Sequence, residues 1–139
     1  MDSRLRRTDL FKILFQTEFQ PDTDTDELVK LYNEQHTHFT DEDEIAIRVK
    51  LANIVEHLYE IDDKIENASN GWKLDRIGKA ELAILRLSIY EILYENDSED
   101  AITADEAVRL TKEYADDKSP QFVNGILGSI IRAKDEIEG

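Results

Sequence analysis

The chain has no cysteine among its 139 residues, which excludes disulfides, thiol nucleophiles and thiolate metal sites and fits a reducing compartment. Only two prolines and five glycines interrupt it, so long helices with short connections are expected. Positive charge is scarce as well: 17 Lys and Arg stand against 32 Asp and Glu, a formal net charge of −15. That balance argues against a general nucleic-acid binder, whose footprint is a basic face. Any nucleic-acid role must come from a local patch. No apolar run reaches membrane-spanning length, and the basic start MDSRLRRTDLF lacks the apolar stretch and cleavage site of a secretory signal. A cytoplasmic protein of one domain, residues 1–139, is expected, large enough to bury roughly two thirds of its unfolded surface.

What is present is helical periodicity, with no sustained strand-like alternation. The stretch Ile77 to Tyr94 is apolar on nearly every side, through Leu82, Ile84, Leu85, Leu87, Ile89, Tyr90, Ile92 and Leu93. Such a helix must be covered all round, so it is expected at the centre of an all-α bundle. At about 100° per residue, Glu81, Ser88 and Glu95 share one stripe, a window to a partner, with Lys79 and Arg86 opposite. Arg86 then needs an inter-helix partner, for which Glu106 is expected.

Around this centre a first helix over 4–19 turns Leu10, Phe11, Leu14, Phe15 and Phe19 inward. A second over 26–37 buries Leu28, Leu31 and Tyr32. A third over 41–59 carries Ile45, Val49, Ala52, Val55 and Tyr59 inward. A short fourth, through Ile61, Ile65 and Ala68, ends at the Asn70-Gly71 turn, with Trp72 and Leu74 as a hydrophobic clasp. Thr103 and Glu106 have capping-box spacing for the next helix. Ser119-Pro120 opens the last, as N-cap and first helical residue, and Lys134 to Gly139 is expected to fray.

Few residues suggest chemistry. The run Asp22, Asp24, Asp26 fails as a calcium loop, because Glu27 stands where glycine is needed and Asn33 where the bidentate Glu belongs. These acids suit helix starts, where the dipole favours them. His36 and His38 are spaced for a strand rather than one helix face, and His57 stands alone. No phosphate-binding or hydrolase motif occurs and no nucleophile–base pair is evident, so neither an enzyme nor a cofactor or metal site is expected. Two places remain. Arg4, Arg6 and Arg7 crowd a helix start, where cations typically cost a few tenths of a kcal/mol or more each. In the segment Asp117 to Phe122, Lys118 stands beside the backbone N–H groups of the last helix, which can hold a phosphate. Phe122 either edges into the core or exposes a face for base stacking.

The blocks GWKLDRI (71 to 77), AILRLSIYEIL (83 to 93), DEAVRLTKEYADDKSPQFVNGIL (105 to 127) and RRTDLFKILFQTEF (6 to 19) together resemble the NusB family of bacterial transcription antitermination factors. The resemblance is weakest over 20–60. The chain departs from the family pattern at Asp105, at Ser98-Glu99-Asp100 and in the order Arg4-Leu5-Arg6-Arg7.

The resemblance implies a compact bundle of about seven helices in two subdomains. It also implies an RNA-binding factor that pairs with NusE, a small-subunit ribosomal protein. The pair would bind boxA single-stranded RNA in nascent ribosomal RNA leader transcripts and help the RNA polymerase elongation complex, with other Nus factors, resist termination. By position, RNA would meet Arg4, Arg6, Arg7, Lys118, Ser119, Gln121 and Phe122, and NusE would meet Glu81, Asp75 and Arg76. The alternative is an adaptor of the same fold that binds NusE with little RNA affinity of its own. The sequence leaves oligomeric state open, including a homodimer that hides the arginines.

Overall fold

The computed structural model describes the backbone of residues 3–36 and 39–138, and side chains for 7–36 and 39–137. Among these residues there are seven α-helices and no strand: α1 Ser3–Thr17, α2 Thr25–His36, α3 Asp41–Glu56, α4 Leu58–Ala68, α5 Lys79–Tyr90, α6 Asp100–Tyr114 and α7 Ser119–Glu138. A 3₁₀ turn, Leu74–Arg76, precedes α5, and a π-helical segment, Glu91–Glu95, extends it. Among the described residues no helix is long and apolar enough to cross a membrane. The chain divides into two compact units, residues 1–56 and 57–139.

In the first unit α1, α2 and α3 pack pairwise. Their core is Leu10, Phe11, Ile13 and Leu14 from α1, Leu28, Val29 and Tyr32 from α2, and Ile47, Leu51 and Ile54 from α3. The Tyr32 hydroxyl donates to the buried Asp9 carboxylate at 2.5 Å, which satisfies two polar groups inside that core.

The inward face expected for α3 is the outward one. Ile45, Val49 and Val55 are 62%, 54% and 47% exposed. Two stripes on this helix share the same period, and periodicity alone cannot say which is covered. Packing against α1 and α2 decides it, and the covered face runs from the first turn. The Asp43 N–H donates to Thr40 Oγ1 at 3.1 Å and the Thr40 N–H donates to Asp43 Oδ2 at 3.0 Å, a reciprocal capping box. Asp43 is itself buried, and Ile47, Leu51 and Ile54 follow it at helical spacing. Tyr59 lies beyond the end of α3 and is exposed; Leu31 and Phe19 are likewise outward, Val29 replacing Leu31 in the core. His36 stacks on Tyr32 at 3.9 Å, whereas His38 lies outside the described residues.

In the second unit α5 touches α4, α6 and α7. From Leu82 to Tyr90 every residue but Arg86 is buried, as its all-round apolarity requires. Ser88 is among them, so the expected polar stripe is closed at its middle, with Glu81 and Glu95 half-buried at its two ends. Arg86 has an inter-helix partner in Asp62 of α4, which the sequence did not indicate: Nε to Oδ1 is 2.9 Å and Nη2 to Oδ2 is 3.0 Å. Glu106, the partner expected for it, accepts from Arg109, one turn along its own helix, at 3.0 Å. Helix α6 starts at Asp100, a turn earlier than the Thr103–Glu106 spacing indicates, and Thr103 is buried within it.

The expected fray at Lys134 is absent through Glu138, because Lys134 is tied down. Its ammonium donates to the Ile92 carbonyl at 3.0 Å, to Asn96 Oδ1 at 2.9 Å and to the Asp100 carboxylate at 3.1 Å. A partly buried ammonium with acceptors on three sides costs little to desolvate, and it holds the end of α7 against the loop after α5.

Candidate RNA and partner interface

The site is assembled where the chain turns into α5 and into α7. Asn70 (φ 57°) and Gly71 (φ 89°) adopt the left-handed conformation that lets α4 stop sharply. The Ser69 hydroxyl, 2.9 Å from the Trp72 carbonyl and 3.1 Å from that of Glu66, fixes the turn. Trp72 is thereby held outward, 55% exposed, so it does not clasp the core. The 3₁₀ turn then carries Asp75 and Arg76 into solvent, and Gly78 caps α5.

Glu81 folds back over that cap, its Oε1 lying 2.6 Å from where a Cβ on Gly78 would sit. Only glycine leaves the carboxylate this room. From there Glu81 Oε2 accepts a 2.9 Å hydrogen bond from the Ser119 hydroxyl at the head of α7. Ser119 is buried, and its hydroxyl proton is committed to Glu81.

The expected partner residues and the expected RNA residues of this unit thus meet in one place. A cleft of about 550 Å³ is lined by Arg76, Glu81, Lys118, Ser119 and Phe122 together with Trp72, Asp116 and Asp117. Asp75 and Gln121 are exposed but outside that lining. Phe122 is half-buried, its ring 6.2 Å from that of Trp72 at 54°, so it neither sinks into the core nor stands clear. Trp72 is the residue that sequence reasoning assigned to packing; its place directly after a turn was the available signal for exposure.

In the other unit, the side chains of Arg4 and Arg6 lie outside the described residues. Arg7 is 8% exposed and engaged within the protein, so it presents little surface to a ligand.

The NusB family profile matches residues 4–132. The transcription antitermination protein NusB of Agathobacter rectalis is 42% identical over 121 residues, 87% of this chain and 92% of that protein. Among solved structures, T. maritima NusB superposes with a TM-score of 0.88 at 32% identity, covering 100% of this chain and 99% of that one. A complex of the antitermination factors NusB and NusE with double-stranded RNA gives 0.83 at 28% identity, over 94% of this chain and 96% of that one. With a match that spans both units and nearly the whole length of its relatives, the chain belongs to the NusB family.

Proposed function

We propose that this chain is an RNA-binding transcription antitermination factor that acts in the cytoplasm with NusE, on boxA-type RNA of nascent ribosomal RNA leader transcripts, so that RNA polymerase resists termination. The observation that carries this is the meeting of Glu81 with Ser119, which brings residues expected for the partner and for RNA to one cleft. Relatives named as antitermination proteins and a neighbour solved with NusE and RNA support it. Both units act as one functional domain, since the family match runs across their boundary.

The mechanism is binding, without a chemical step. With a net charge of −15 the chain repels RNA at a distance, but at physiological salt the Debye length is about 8 Å, so acids on far faces are screened while contacting cations are not. Few phosphates are neutralised, so RNA affinity alone is low and its salt slope shallow. Sequence choice then rests on stacking and base-edge contacts to a single strand. NusE adds surface, and linkage requires that RNA tighten the NusE complex by the same factor that NusE tightens RNA.

The burial of Arg7 favours a second reading, an adaptor that binds NusE but holds RNA poorly. A titration of boxA RNA and a scrambled control, with and without NusE, separates the two, using the parent chain and an Arg4→Ala/Arg6→Ala variant. Loss of boxA affinity with NusE binding retained supports the RNA-binding factor. A parent chain that holds boxA RNA no better than the scrambled control while NusE still binds makes the chain an adaptor.

A further inference from the structure

Phe122 is the wall between two clefts of the second unit, and they differ in charge. On one side stands the cleft already described, where Asp116, Asp117 and Glu81 outnumber Arg76 and Lys118. On the other lies a cleft of about 350 Å³ between the Asn70 turn and the outer face of α7. Its lining includes Gln121, Phe122, Gly125 and Arg132 and no carboxylate, so its formal charge is positive on a strongly acidic protein.

The floor of this second cleft is bare. A Cβ added at Gly125 meets nothing within 4 Å, so the helix backbone there is open to a ligand. Arg132 is exposed, and its guanidinium lies back along α7, with Nη1 3.3 Å from where a Cβ on Gly128 would sit. Residues 121, 125, 128 and 132 share one face of α7 at helical spacing. Lys118, exposed and lining the first cleft, stands directly before α7 begins, one turn ahead of Gln121.

We infer that the RNA strand runs along α7 on the Arg132 side of Phe122, from Lys118 past Gln121 and Gly125 to Arg132, leaving the acidic Glu81 side to the protein partner. This rests on the function proposed above and adds Arg132 and Gly125 to the RNA surface. The physics is charge complementarity: a phosphate chain entering the Glu81 side would face three carboxylates, whereas on the Arg132 side it faces a guanidinium suited to bidentate phosphate contact. Phe122, edging both clefts, offers a ring for one base at the dividing line.

The test uses the complex with NusE and a fluorescent single-stranded boxA RNA, with Arg132→Ala, Gly125→Glu and the exposed-cation control Lys112→Ala. Gly125→Glu replaces a helix-interior glycine by a better helix former, so its thermal midpoint should hold or rise. Expected for Arg132→Ala is an RNA affinity lowered about three- to tenfold and a salt slope shallower by about 0.7, one single-strand phosphate. Gly125→Glu should lose more than about tenfold, with NusE affinity measured without RNA unchanged in both. RNA affinities equal to that of Lys112→Ala overturn the track. If Arg4→Ala/Arg6→Ala still weakens RNA in that case, the proposed function survives; if no variant does, it falls too. Loss of RNA-free NusE affinity assigns the cleft to the partner and also overturns the track, as does a duplex of the same sequence that binds equally well.

Discussion

Ser119 and Glu81, 38 residues apart, are joined by a hydrogen bond of 2.9 Å that fixes the head of α7 against the first turn of α5. The bond makes the two proposed surfaces mechanically dependent. Removing the donor with Ser119→Ala should lower NusE affinity about fivefold, near 1 kcal/mol for a half-buried bond to a carboxylate. Glu81→Gln should lose a similar amount, and the double variant little more than either, because both changes break the same contact. Fully additive losses in a double-mutant cycle would show that Ser119 does not act through Glu81.

The Arg86–Asp62 pair should be a stability determinant of the second unit. Both side chains keep some solvent, at 14% and 17% exposure, so Asp62→Asn should cost about 2–3 kcal/mol, below the loss from breaking a fully buried pair. Arg86→Met should cost less, since its stem still packs. Glu106→Gln, which weakens an i,i+3 pair with Arg109 within one helix, should lower the urea midpoint by less than Asp62→Asn does. An unshifted midpoint for Asp62→Asn would remove the pair from the list of stabilising contacts.

The reversed face of α3 makes a sharp comparison. Ile47→Ala, at 0% exposure, should destabilise by about 2–5 kcal/mol through lost burial and a cavity. Ile45→Ala, at 62% exposure, should stay within about 0.5 kcal/mol of the parent chain. Equal losses in chemical denaturation would restore the opposite orientation.

Tyr94 gives a pH dependence at the alkaline end. Burial, then the hydrogen bond to Glu60 and the charge of that carboxylate, raise its phenol above the ordinary 10.0. The folded state therefore prefers the neutral phenol. Its contribution is complete below the unfolded value and is lost as pH rises through the folded one. Tyr94→Phe should show a shallower fall of the unfolding midpoint than the parent chain between about pH 9 and about pH 11. Parallel curves would mean that the 3.2 Å contact with Glu60 does not shape the titration.

What the sequence made legible follows from which forces are local. The all-round apolarity of Leu82 to Tyr90 leaves a helix no choice but the centre, and α5 is there. The Asn70-Gly71 turn and the start of α7 were equally readable, because backbone geometry dictates those residue types. Orientation was harder. Choosing between Ile45 and Ile47 depends on what packs against α3, which no pattern within α3 contains. Finding Asp62 as a partner for Arg86 depends on how α4 crosses α5. Within the site, Glu81, Lys118 and Phe122 stood out by their own chemistry and spacing as well as by resemblance, whereas Trp72, Gly125 and Arg132 needed the fold to bring α7 beside the turn after α4.

The turn that ends α4 also gives the molecule a way to age. Asn70 is exposed and followed by a residue without a side chain, so the Gly71 backbone nitrogen can attack the Asn70 side-chain carbonyl and expel ammonia, forming a succinimide that water opens to aspartate or isoaspartate. Asn70 lines the cleft whose charged lining residue is Arg132, so the change would place a carboxylate beside that guanidinium and cancel the local positive charge. Protein stored at mildly alkaline pH should then separate into two species on anion exchange, the later-eluting one with weaker RNA binding. An Asn70→Asp variant that binds RNA like the parent chain would show that this chemistry leaves the interface untouched.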